Sequence, residues 1–235
     1  MGDSTKPGQD GREAVGQLPL AGEPLPLDLV NTTYIKGGRR GHLVDALTVP
    51  EALDAWLAAH RAEFSPALTE ALEDSGPAGP AHVEAFTELR GALRDLAAAR
   101  TSGTAPEPGP VDVVNTAARL ATRWRELAPG AAFAAVPRWL EADPRRVALG
   151  EVAAAAVSLF SGDRAALIRA CGAPGCILYF VKSHARRAWC TAGCGNRVRV
   201  ARHSRRAKDG GGTGPDTEGG SAPGPVPPSG ARPRG

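Results

Sequence analysis

The chain has 235 residues, of which 42% are hydrophobic and 23% charged, with a formal net charge of +3. That length allows one or two domains with a buried core, and no apolar run of 18 residues is present, so no transmembrane helix and no membrane partner are expected. The polar opening, Met1 to Gly16, lacks the apolar centre of a signal peptide, which points to a cytoplasmic setting. In chain order, residues 1–20 read as disordered and residues 21–165 as a helical, bundle-like domain. Within it, residues 50–60 read as a helix, with Thr48 as its N-cap and Leu53, Trp56 and Leu57 at helical spacing. Phe86, Leu89, Leu93 and Leu96 repeat that pattern across residues 81–100. Residues 101–110 break the chain as a Gly/Pro-rich loop. Residues 111–127 read as a further helix, residues 131–139 as a short strand pair, and residues 146–160 as an alanine-rich helix. Residues 163–170 are expected to lead on helically. Trp56, Trp124 and Trp139 are expected in packing roles.

The helical region shows no enzymatic pattern. Its histidines are scattered, and neither a His-Glu-x-x-His set nor a phosphate-binding glycine loop occurs, so no catalytic residues are expected. Asp28 and Asn31 interrupt an apolar stretch from Leu25 to Val30. Polar groups buried there must be hydrogen-bonded. They either cap neighbouring backbone or line a small-ligand pocket, for which Asn31 and Tyr34 are the first candidates.

The four cysteines of the chain fall within 24 residues: Cys171, Cys176, Cys190 and Cys194. A C-x4-C pair and a C-x3-C pair, 13 residues apart, suit the tetrahedral S4 coordination of Zn2+. Four thiolates leave no position for water, so one structural Zn2+ is expected. Ile177 to Val181 reads as a strand, with residues 187–189 returning beside it and Trp189 and Phe180 forming a small core. The fold class is therefore mainly α, with a helical domain followed by a finger over residues 166–207, ordered knuckle, hairpin, knuckle, helix. So small a module draws much of its folding energy from its metal. Residues 208–235 read as a disordered Gly/Pro-rich tail.

Charge is distributed unevenly. Residues 164–206 contain nine arginines, one lysine and no acidic residue, so they carry +10 while the rest of the chain sums to −7. Such asymmetry points to a polyanion, duplex DNA first. A helix is expected over residues 196–206 with Asn196 as N-cap. Arg199, Arg202, His203 and Arg206 would share one face, with Arg205 beside them. Arg186 and Arg187 would add a second basic edge, and Arg197 would support the knuckle or bind one phosphate.

The run Cys194-Gly195-Asn196-Arg197 resembles the signature of the CGNR zinc-finger proteins, and the likeness extends from Cys171 through Arg206. Upstream, Leu27-Asp-Leu-Val-Asn-Thr32 is similar to the opening of the ABATE domain, which precedes that finger in bacterial proteins, and residues 47–57 are similar as well. The resemblance spans residues 20–206. It implies a stress-induced transcription regulator whose zinc-dependent end binds DNA; the N-terminal domain would then sense a small-molecule effector or mediate association. A specific regulator with one short finger needs a homodimer or a second contact. An RNA-binding or protein-docking module, or a ligand-binding protein whose finger only completes the fold, is the alternative reading.

Overall fold

The computed structural model describes residues 22–130 and 133–209, with side chains up to residue 205. Of the expected disordered ends, residues 1–20 and 210–235 lie outside the described residues, as does the Arg206 side chain, whereas residues 208 and 209 belong to the last helix. Among the described residues are seven helices and three two-stranded antiparallel sheets, which agrees with the mainly α expectation.

Helix α1 (Leu25–Val30) is followed by a small hairpin, β1 (Thr33–Lys36) paired with β2 (His42–Asp45). Helices α2 (Pro50–Ala59), α3 (Pro66–Asp74), α4 (Pro80–Ser102), α5 (Pro108–Ala118) and α6 (Pro144–Ser161) come next. Each of these five starts on a proline, whose fixed φ suits the first turn and whose missing N–H would be unpaired there anyway. Val49 holds the cap position before α2 without a side-chain bond, so Thr48 does not cap it. Asp143 caps α6 by accepting from the Arg145 amide at 2.8 Å.

Helix α4 is the central element. It packs against α1, α2, α5 and α6, burying Phe86, Leu89, Ala92, Leu93 and Ala97 along one stripe. Two arginines lie on or beside that stripe. Arg90 forms a fork on Asp45, with both bonds at 2.6 Å, and reaches the Thr32 hydroxyl at 3.0 Å. Arg94 donates to the carbonyls of Val30, Thr33 and Ile177 at 2.7, 3.1 and 3.1 Å.

Two stretches depart from the sequence reading. The helix expected over residues 111–127 ends at Ala118. After a single 3-10 turn, Arg123–Leu127 forms β3, which pairs with β4 (Ala135–Trp139). The strand pair expected inside residues 131–139 is thus one strand whose partner lies earlier. Trp56 is fully buried and Trp139 partly so, but Trp124 stands 45% exposed on β3. In the second stretch, residues 163–170 are a 3-10 turn followed by β5 (Ile168–Ala170), not a helix. Strand β6 (Tyr179–Val181) pairs with β5, in the register Ile168–Val181 to Ala170–Tyr179. The hairpin of the finger therefore encloses the first cysteine pair, and residues 187–189 are not its second strand. The order becomes strand, knuckle, strand, knuckle, helix.

The core does not stop where the finger begins. One hydrophobic cluster joins Leu29, Val30, Tyr34, Trp56 and Leu93 to Cys171, Leu178, Phe180, Cys190, Cys194 and Val198. Residues 22–199 lie within one compact unit, and residues 200–209, the later part of helix α7 (Ala192–Asp209), belong to a second.

Candidate metal centre

The first knuckle, residues 171–176, is the loop of the β5–β6 hairpin. Its Cys171 amide donates to the Leu178 carbonyl at 2.9 Å, and its Cys176 amide donates to Ala173 at 3.0 Å. Gly175 has φ +68°, and a Cβ there would sit 2.4 Å from the Gly38 carbonyl oxygen. Only glycine lets this knuckle seat on the β1–β2 turn. The second knuckle runs into helix α7, which starts at Ala192. The Thr191 hydroxyl caps it by accepting from the Cys194 amide at 3.2 Å. Asn196 is not the N-cap; it lies within the helix, and its side-chain oxygen accepts from Arg199.

The four sulfurs converge. All lie within 4.8 Å of one another, with Cys190–Cys194 at 3.3 Å, Cys176–Cys190 at 3.7 Å and Cys176–Cys194 at 3.8 Å. These separations are too long for a disulfide. Sulfurs about 2.3 Å from a tetrahedral ion are about 3.8 Å apart, which two of these separations match while the third is shorter. As free thiols they cannot share their charge. Hydrogen bonds from Cys176 and Cys190 pull Cys171 down to about 2. Donation to Cys171 pushes Cys176 up to about 12 and raises Cys190 as well. A dication resolves that conflict, because coordinated thiols are deprotonated outright.

The arginines assigned to nucleic acid on spacing divide into two groups. Arg197 is turned inward. It donates to Cys194 Sγ at 2.8 Å and lies against Gly38, where a Cβ would come within 3.0 Å of it. Burial lowers its pKa, but the bond to Cys194 and the charge of the sulfurs outweigh this and raise it. Arg187 is turned inward too. It pairs with buried Glu23, donates to the Val181 and Cys190 carbonyls at 3.0 and 3.2 Å, and lies 5.0 Å over the Phe180 ring. Both arginines brace the knuckles rather than face solvent. Arg186, Arg199, Arg202, His203 and Arg205 are exposed. Among the described residues no carboxylate pairs with any of these four arginines.

Asn31 and Tyr34 both lie beside the finger but line no common pocket among the described cavities. Asn31 Nδ2 donates to the Tyr179 carbonyl at 2.9 Å, and the Tyr179 amide donates back to Asn31 Oδ1 at 3.0 Å. The Asn31 side chain thus satisfies both backbone groups of one residue of β6. Tyr34 lines a small cavity of about 180 Å3 with Cys176, Leu178, Cys194 and Arg197. Phe180 is core, and Trp189 covers the backbone of Gly172 and Gly195, in keeping with packing roles. Two residues at this joint escaped the sequence reading, Glu23 and Arg94. A signal existed for Arg94: it stands one residue past Leu93 on the buried side of α4, where a charge implies partners. Glu23 carried none, because its partners, the Val181 amide and Arg187, are about 160 positions away.

Residues 168–207 match the CGNR zinc finger. Residues 23–163, more than half of the chain, match ABATE, described as "Putative stress-induced transcription regulator". The chain belongs to the ABATE family. Comparison with curated proteins gives no match. In this ABATE protein Cys171, Cys176, Cys190 and Cys194 are the ligands of one structural zinc ion. Bound there, the ion supplies four coordinate bonds that tie the β5–β6 loop to the first turn of α7. Family and finger together support a zinc-finger regulatory role. No helix among the described residues is long and apolar enough to cross a membrane.

Proposed function

We propose that this ABATE protein is a cytoplasmic transcription regulator, without catalytic activity, that binds duplex DNA through helix α7. One observation carries the reading: Arg199, Arg202 and Arg205 are exposed on a helix whose first turn holds a zinc ligand, in a 43-residue stretch without an acidic residue. Spacings of three along a helix place these guanidiniums in a row that can follow a phosphate strand or reach guanine edges. Exposed Arg186, before the second knuckle, adds a further phosphate contact. Arg187 and Arg197 contribute by holding the knuckles. One short helix buries little surface on DNA, so a specific site calls for a second copy of the chain.

The test is a fluorescence-anisotropy titration of the zinc-loaded protein with duplex DNA, single-stranded DNA and hairpin RNA at two salt concentrations. Preference for the duplex, weakening with salt and lost on chelation, is the expected result. Preference for single strands or hairpins would move the reading to RNA. No binding to any of them would leave the finger as a structural element.

A second reading, a ligand-sensing helical domain, is favoured by a cavity between α4, α5 and α6. Its volume is about 320 Å3, and Leu96, Val111, Val114, Ala156 and Phe160 form its apolar wall, with Arg100 and Asn115 at its edge. An apolar effector seated there would raise the melting temperature, and Val114→Trp would abolish the rise.

A further inference from the structure

A second group of metal-binding side chains lies away from the cysteines, at the end of helix α2. His60 follows the last turn of that helix and is 5% exposed, Asp28 on α1 is 3% exposed, and Glu63 ends the 3-10 turn Arg61–Glu63. One ligand atom from each lies within 4.8 Å of the other two. The backbone fixes this arrangement, since the Glu63 amide donates to the His60 carbonyl at 2.9 Å.

The orientation of the imidazole is decisive. His60 Nδ1 lies 2.8 Å from the Trp56 carbonyl oxygen, which can only accept, so Nδ1 carries a proton. In the neutral ring Nε2 then presents its lone pair, and Nε2 is the atom that faces Asp28. A histidine held by a backbone carbonyl at one nitrogen, with its other nitrogen toward carboxylates, has the outer support of a metal ligand. Its ring also lies against Trp56, centroid to centroid at 4.4 Å and tilted by 34°, which limits its rotation.

The separation of Nε2 from Asp28 Oδ2 is 3.5 Å. A charge-assisted hydrogen bond would close to about 2.8 Å. Two ligand atoms about 2.1 Å from one tetrahedral ion stand about 3.4 Å apart. The donor set also suits a cation, since two carboxylates, one of them buried, converge on one imidazole. Glu63, the exposed member, also lines a surface cavity of about 490 Å3 with Pro24, Leu25, Glu151, Ser158 and Arg164.

We propose that Asp28, His60 and Glu63 form a second metal site, for a first-row divalent transition-metal ion, separate from the four-cysteine zinc. One imidazole and two carboxylates favour zinc, cobalt or manganese over calcium or magnesium. Three protein ligands leave at least one coordination position for water, unlike the four cysteines. The site lies within the ABATE region and does not depend on DNA binding.

Co2+ is the probe. The full-length, zinc-loaded protein is dialysed against Co2+, its metals are counted by mass spectrometry, and its visible spectrum is recorded. The expected result is one zinc and one cobalt per chain, with visible d–d bands and no thiolate-to-cobalt charge transfer in the near ultraviolet. Glu63→Gln changes an exposed residue and should weaken Co2+ binding by about tenfold or more, leaving the zinc content at one. His60→Gln should remove the bands. A metal content that never exceeds one per chain, a thiolate spectrum for the added cobalt, or Co2+ binding unchanged in both variants would each overturn the site.

Discussion

Helices α4 and α7 both carry arginines at helical spacing and use them in opposite ways. On α4, Arg90 and Arg94 point into the molecule, and the atoms they meet are fixed: a carboxylate, a hydroxyl and three backbone carbonyls. On α7, Arg199, Arg202 and Arg205 are exposed, and the helix offers them only a neutral oxygen at Asn196 and the Ala201 carbonyl. An inward arginine needs most of its donors satisfied, because burial makes each unpaired one costly; Arg197 keeps one, its Nε. An outward one keeps its hydration until an anion displaces it. The same residue type is thus a structural pin on one helix and a contact on the other. Arg187 and Arg197 show that position in the chain does not decide the matter, for they lie inside the basic stretch and still face inward.

The comparison predicts that changes on the inward side cost stability and changes on the outward side cost binding. The largest effect is expected from Cys190→Ser. The sulfurs share one core cluster with Leu29, Tyr34 and Leu93, so losing the ion should lower the melting temperature of residues 22–199 in a single transition. The finger should not melt alone ahead of an intact helical domain. Calorimetry with a zinc count checks this, and two separated transitions would contradict it. Arg94→Ala should come next, at about 2–4 kcal/mol, because it orphans three carbonyls at the joint of α1, β1 and the finger. Its melting temperature should fall on the order of 10 °C, while the salt dependence of DNA binding stays as in the native chain.

Asn31→Ala should cost about 1–2 kcal/mol by leaving the Tyr179 amide and carbonyl unpaired. Asp45 supplies a pH test of the inward side. Burial raises its carboxyl pKa, but the hydrogen bonds and charge of Arg90 outweigh that and hold it below the ordinary 3.8. A depressed carboxyl contributes stability that is present above 3.8 and is lost as pH falls through the lower folded value. Asp45→Asn should flatten that acid limb of the stability profile, as read by denaturant midpoints at a series of pH values.

Much of the metal site was legible because ligand spacing is a local property. Cys171, Cys176, Cys190 and Cys194 lie within 24 residues, and zinc geometry limits what such spacing can mean. The helices were legible where an apolar stripe faces a core, as along Phe86, Leu89 and Leu93. Strand β3 was not. All five of its residues are exposed, so no buried face imposed an alternating pattern, and the run merged with the helix before it. Strand β5 has only three residues and acquires its identity from β6, whose first residue, Tyr179, pairs with Ala170 across the knuckle. Arg187 and Arg197 were recognised as basic but not as inward-facing, since the groups that hold them include distant Glu23 and Gly38. Helical spacing orders residues around an axis; it does not tell which side the rest of the chain will cover.

The most direct test of the division between inward and outward arginines is the salt dependence of duplex DNA binding for the native zinc-loaded chain and for Arg202→Ala/Arg205→Ala. Each phosphate contact adds about 0.9 to the slope of log affinity against log salt. The slope should fall by about two in the double variant, with an unchanged melting temperature and one zinc retained. An identical slope, or a native chain without salt-dependent affinity for DNA, would contradict the assignment of helix α7 as the DNA-binding element.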